Sequence, residues 1–67
     1  MKNRIKFLNM NEPVTVVTYG IEKKYDTRNE ALQFFFEAMR CCEGSEAERY
    51  NNVFCKLMDG ETYATDD

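Results

Sequence analysis

The sequence predicts a small α+β domain, with a two- or three-stranded antiparallel sheet packed against an antiparallel helical hairpin. Three observations predict it. Val14-Thr15-Val16-Val17-Thr18-Tyr19 is an unbroken run of β-branched and aromatic residues, the composition of a pleated, half-buried surface. Thr27-Arg28-Asn29-Glu30 and Ser45-Glu46-Ala47-Glu48 both have the spacing of a capping box, in which a hydroxyl and a carboxylate satisfy backbone N–H groups at a helix start. Gly44 lies between the two helical segments, where a left-handed residue ends the first helix and leaves a connection short enough to force antiparallel neighbours.

The elements follow in order. Arg4-Ile5-Lys6-Phe7-Leu8 alternates with period two and predicts a strand over about 4–10, with Ile5 and Phe7 on one face. Asn9-Met10-Asn11-Glu12-Pro13 is turn chemistry, and Pro13 stops a continuous ladder. The second strand covers 14–19. Gly20 breaks it, as a hairpin turn leading to a short third strand over 22–26, with Lys23 and Lys24 suited to an exposed edge. A bulge at Gly20 with the second strand running on to Tyr25 is the alternative.

The helices are expected over about 28–42 and 46–58. On the first, Ala31, Leu32, Phe34, Phe35, Phe36, Ala38, Met39, Cys41 and Cys42 spread over roughly 220° at ~100° per residue. That is about twice the arc of an ordinary surface helix, so two sides are covered. The second carries one stripe, Ala47, Tyr50, Val53, Phe54, Leu57 and Met58, and Gly60 stops it. Residues 61–65 either add one short strand or lie loose. All 67 residues form a single domain near the lower limit for folding alone.

Composition narrows the function. Histidine is absent, which removes the commonest general base, the usual nucleophile pairs and most transition-metal sites. The three glycines are isolated turn residues, not a phosphate loop. Glu30, Glu46 and Glu48 are explained by capping. The chain is therefore expected to be no enzyme and to hold no cofactor and no metal. Cys41 and Cys42 are adjacent and near the helical turn. Cys55 lies ~15 Å along the partner helix at 1.5 Å per residue, beyond disulfide reach. The cysteines are expected to pack as small core hydrophobes, with an intermolecular or redox role as the alternative, and Cys41, at the edge of the apolar arc, is the one expected to be exposed.

No apolar run is long enough for a membrane span, and the N-terminus alternates charge with hydrophobe, unlike a signal peptide. With an odd cysteine count, the cytoplasm is the expected compartment. Charge is uneven: residues 1–28 carry six basic and three acidic side chains, residues 29–67 three basic and nine acidic.

Two surfaces are candidates for binding. Phe35 points to the centre of the arc and belongs to the core. Phe34 and Phe36 lie ~160° apart on the wheel and cannot both face one neighbour: either one packs on the sheet and the other on the second helix, or one of them is left in an exposed apolar patch. Either of these with Met39, Tyr50 and Met58 forms a protein-contact patch, used by a partner or by self-association. The alternative is a weak nucleic-acid interface on the basic sheet face, using Arg4, Lys6, Tyr19 and Lys24. A third reading is an acidic inhibitor that mimics phosphate through Glu37, Glu43, Glu46 and Glu48. The stretch from Glu30-Ala31 to Ala38-Met39, followed by Gly44-Ser45-Glu46-Ala47-Glu48-Arg49-Tyr50-Asn51, resembles small uncharacterised proteins encoded on mobile elements and prophages of Gram-positive bacteria. That resemblance spans about half the chain, implies a cytoplasmic accessory protein, and transfers no functional residue. The sequence as a whole points to a non-enzymatic, protein-binding or self-associating accessory module.

Overall fold

The computed structural model describes residues 8–66. Two strands, β1 (Val14–Thr18) and β2 (Ile21–Tyr25), form the hairpin. Two helices follow, α1 (Arg28–Cys41) and α2 (Gly44–Met58), and a short strand, β3 (Tyr63–Thr65), closes the fold. The strand order is β2-β1-β3. Of the strand expected over 4–10, residues 4–7 lie outside the described residues. Leu8 and Asn9 are irregular and Met10 opens a turn, in which the Asn9 carbonyl accepts from Glu12 and its side chain from the Asn11 N–H.

The hairpin closes through Tyr19-Gly20, both at positive φ (52° and 77°). That is the signature of the two-residue turn whose twist matches the strands it joins. Thr18 pairs with Ile21 and Val14 with Tyr25, so the hairpin, not a bulged single strand, is what forms. The sheet is mixed rather than wholly antiparallel, because β3 runs parallel to β1 (Thr15↔Tyr63, Val16↔Ala64, Val17↔Thr65). The cause is topological. Chain leaves β2 at the Val14 end, α1 carries it away, and α2 brings it back, as the contacts of Arg28 with Leu57 and of Phe35 with Tyr50 require. A strand starting from that end beside β1 can only run in the direction of β1.

Only half of the first capping box forms. Thr27 Oγ1 accepts from the Glu30 N–H at 3.1 Å, without a return bond from Glu30. The second is not made. α2 begins at Gly44, in the expected left-handed conformation (φ 65°), and its cap position is Glu43, whose side chain accepts no capping bond. Glu46 is engaged elsewhere, as described below.

One sheet face supplies Val14, Val16 and Ala64 to a core completed by Ala31, Leu32, Phe35, Val53 and Leu57. Cys41 is exposed, as its place at the edge of the arc predicts, but Cys55 is exposed and Cys42 half-buried where core packing is expected, and none is bonded to another. Two helices over so small a sheet need only about one residue per turn each at the centre, and Ala31, Leu32, Phe35, Val53 and Leu57 fill it. The wide arc of α1 is thus only partly covered.

Arg28 is the least expected interior residue, 1 % exposed. Its five N–H groups make five hydrogen bonds: to the carbonyls of Asn9 (3.3 Å), Leu57 (2.8 Å), Glu61 (2.8 Å) and Gly60 (3.3 Å), and to Glu12 Oε1 (2.6 Å). The guanidinium fork thereby ties the turn before β1 to the last turn of α2 and the residues just after it.

Candidate functional site

Alternation along β2 turns Ile21, Lys23 and Tyr25 toward the helix layer, on the same face as their partners Thr18, Val16 and Val14. Because β2 is the edge strand among the described residues, α1 reaches only part of this face. The result is a groove of about 200 Å³ between the hairpin and the helices, lined by Ile21, Lys23, Tyr25, Phe34, Phe35 and Tyr50 with Val16, Thr18 and Tyr19.

Its walls are aromatic. Phe34 meets Phe35 edge-on at 5.0 Å between centroids. Tyr25 lies 6.1 Å from Phe34 and 6.0 Å from Phe35, and Phe35 lies 5.8 Å from Tyr50. Such tilted and edge contacts are the favourable arrangements of ring quadrupoles. Phe35 is buried, but Phe34 is 52 % and Ile21 69 % exposed. Lys23 Nζ sits 5.3 Å from the Tyr25 centroid and 5.9 Å from that of Phe34, so the groove carries a cation over its aromatic wall. Burial pushes the Tyr25 phenol above its ordinary pKa.

The sequence-predicted patch is divided by the structure. Phe34 and Tyr50 line the groove. Phe36, 47 % exposed, lies on the other flank of α1, 6.1 Å from Phe54 of α2 and 5.8 Å from the Arg40 guanidinium. Met58, one turn beyond Phe54, is 47 % exposed, and Met39 is half-buried. The two phenylalanines do face the sheet and the second helix respectively, and each keeps about half its surface in solvent.

Of the nucleic-acid candidates, only Tyr19 and Lys24 are among the described residues. Arg4 and Lys6 lie outside the described residues. Lys24 is on the open sheet face, opposite Thr15 and in the same row as exposed Tyr63, with Glu22 on that face too. Tyr19 stands at the hairpin turn and is committed to other partners. Its backbone N–H donates to Asp66 Oδ2 (2.8 Å), its hydroxyl donates to Glu46 (2.9 Å), and the Arg49 guanidinium lies 4.6 Å from its ring centroid. Arg49 also pairs with Asp66 at 3.1 Å. These contacts hold a non-glycine residue in the left-handed region, an arrangement that persists only where surroundings over-determine it. The Tyr19 N–H first, and Arg49 next, hold the Asp66 carboxyl below its ordinary pKa. The Glu46 hydrogen bond pushes the Tyr19 phenol up, and the Asp66 bond does the same for Arg49.

Sequence reasoning missed Ile21, Lys23, Tyr25 and the Asp66 cluster. The cluster joins residues far apart in the chain, with no local signal. Arg28 did leave one: a cation in the first turn of a helix opposes the macrodipole, which marks a residue held there by something else. Among the described residues, no group of three His, Cys, Asp or Glu side chains is placed to hold a metal ion, and no helix is long and apolar enough to cross a membrane. The chain matches no protein-family model, no curated protein and no solved structure.

Proposed function

We propose that this protein is a non-enzymatic accessory module, acting in the cytoplasm, that binds a protein surface through the groove beside β2. The observation that carries the reading is the exposure of Ile21 and Phe34 against a groove already walled by Tyr25 and Phe35. Burying one such side chain in full is worth ~1.5–3 kcal/mol, a large share of the stability of a domain this small. A groove of about 200 Å³ takes one or two side chains, whereas pockets for metabolites run to ~300–1,000 Å³. Among its described lining residues Lys23 is the one cation, which gives little hold on a polyphosphate backbone, so the protein partner is the better-supported reading. The resemblance to accessory proteins of mobile elements fits a module that acts by binding.

The test is site-specific photo-crosslinking in cells, with the reactive side chain placed at position 34 and, as controls, at the exposed positions 33 and 48. Adducts from 34 that vanish on Ile21→Lys, in a chain whose far-UV circular dichroism is unchanged, are the expected result. Equal adducts from position 33, or none from 34, sink the proposal.

A further inference from the structure

The edge of β2 beside the groove has its own pairing pattern. In a two-residue hairpin the pair flanking the turn, here Thr18 and Ile21, exchanges both backbone hydrogen bonds, and bonded pairs then alternate along the ladder. Ile21, Lys23 and Tyr25 therefore direct their backbone groups toward β1. Glu22 and Lys24 direct theirs outward, to an edge that no other described strand occupies.

Those two residues carry opposite charges. A second copy of the same strand laid antiparallel along this edge has three registers with two-fold symmetry, centred on Glu22, Lys23 or Lys24. Centring on Glu22 sets that carboxylate against its own copy. Centring on Lys24 opposes the two ammonium groups and brings Glu22 against Asp26. Centring on Lys23 places Glu22 opposite Lys24 twice, on the open face, and uses all the outward N–H and C=O groups of both residues. On the other face the same register sets Ile21 of each copy against Tyr25 of the other, covering the most exposed large hydrophobe among the described residues, Ile21 at 69 %. The like-charged Lys23 pair falls at the axis, in a pair without mutual hydrogen bonds. Each Lys23 ammonium is drawn back over its own Tyr25 and Phe34 rings, at 5.3 and 5.9 Å.

We infer that a second copy of this chain docks on β2, joining the three described strands of each copy into one continuous sheet across a two-fold axis at Lys23, with Glu22–Lys24 pairs on one face and Ile21–Tyr25 contacts on the other. The inference rests on reading the groove side of β2 as protein-binding, and gives that surface its occupant. The dimer is concentration-dependent, because its edge is short and Lys23 opposes itself.

Sedimentation equilibrium of the full chain, from micromolar to millimolar concentration, tests it with four proteins. Wild type is expected to dimerise. Glu22→Lys and Lys24→Glu, each exposed and outside the core, are expected to weaken dimerisation about tenfold by turning both cross-strand pairs repulsive, and the double exchange E22K/K24E to restore it. Amide exchange gives the second readout: the Glu22 and Lys24 N–H groups become protected as the dimer fills, while the Lys23 N–H is protected throughout. A dimer indifferent to both single charge changes overturns the register. A strict monomer overturns the proposal. If position 34 still crosslinks to other proteins in that case, the groove reading stands without it. Protection of Glu22 and Lys24 in a monomer assigns the edge to another segment of the same chain.

Discussion

Replacing Arg28 by methionine keeps an unbranched side chain of comparable length and removes every donor. The wild-type guanidinium is 1 % exposed and makes hydrogen bonds to four backbone carbonyls and one carboxylate. Removing one partner of a buried charged network costs about 3–5 kcal/mol. Here the lower end applies, about 3 kcal/mol, because Glu12 is 37 % exposed and is rehydrated once released. Total stability for a 67-residue chain at about 0.05–0.15 kcal/mol per residue is only about 3–10 kcal/mol. The variant therefore loses a third or more of its stability, and its Tm falls by about 12–24 °C at about 4–8 °C per kcal/mol. Urea unfolding followed by far-UV circular dichroism at neutral pH measures this. Arg28→Lys, which keeps the charge without the fork, should fall between the two, and Glu12→Gln should cost about 1 kcal/mol or less. An Arg28→Met variant within about 1 kcal/mol of wild type, with an unchanged denaturant slope, refutes the clamp. Equal losses for Arg28→Met and Glu12→Gln would place the effect in the ion pair instead of the carbonyls.

Three further outcomes follow from the same geometry. Asp66 is held below its ordinary pKa by the Tyr19 N–H and Arg49, so its stabilisation is complete above the ordinary carboxylate range and is lost as pH falls through the folded value. Asp66→Asn should therefore lower stability at neutral pH and flatten its decline in acid, and a decline as steep as wild type's would contradict this. Cys41 and Cys55 are exposed, whereas Cys42 is half-buried with its thiol raised by burial and then by Glu46. Alkylation of the native protein followed by mass spectrometry should label the first two rapidly and Cys42 last, and a single rate for all three would count against that environment. Phe35→Ala should cost about 3–5 kcal/mol as a buried large-to-small change, while Phe34→Ala, at 52 % exposure, should cost about 1 kcal/mol and abolish crosslinking from Ile21. Comparable losses of stability would mean Phe34 is a core residue after all.

The sequence made the α+β class legible because its local signals agreed. The β-branched run Val14–Thr18, the turn at Gly20, the Thr27 cap and the left-handed Gly44 each encode one element without help from the rest of the chain. What it concealed depends on distant partners. Tyr63–Thr65 is too short to announce a strand, and its direction is set by where α2 delivers the chain. Ser45 reads as a cap, but the cap position falls two residues earlier, at Glu43, and Glu46 accepts from Tyr19 across the fold. Within the site, Phe34 and Tyr50 were readable as apolar residues on the rims of their arcs. Ile21, Lys23 and Tyr25 were not, because a five-residue strand with two lysines reads as solvent-facing whichever way its alternate side chains turn.

These hidden contacts bear on how a domain this small keeps apolar surface exposed. Among the described residues eight hydrophobic side chains form the buried core, while Ile21, Phe34, Phe36 and Met58 are left largely outside it. Hydrophobic burial is non-directional, so a hairpin held by that alone would gain by tilting until Ile21 rested on Phe34 and the groove closed. Polar fasteners at both ends of the sheet oppose the tilt. At one, Arg28 ties the turn before β1 to the end of α2. At the other, Asp66 accepts from Tyr19 at the hairpin turn and from Arg49 on α2. Hydrogen bonds weaken steeply with misalignment, so this pair fixes the angle between hairpin and helices that apolar packing leaves loose. Tyr19 at φ 52° belongs to the same device: the two-residue turn demands that conformation, and the Asp66 bond to the Tyr19 N–H helps to hold a non-glycine residue in it. The groove is therefore set from a distance. A change at Asp66, which does not line it, should alter contact through Phe34 as surely as a change in the groove wall.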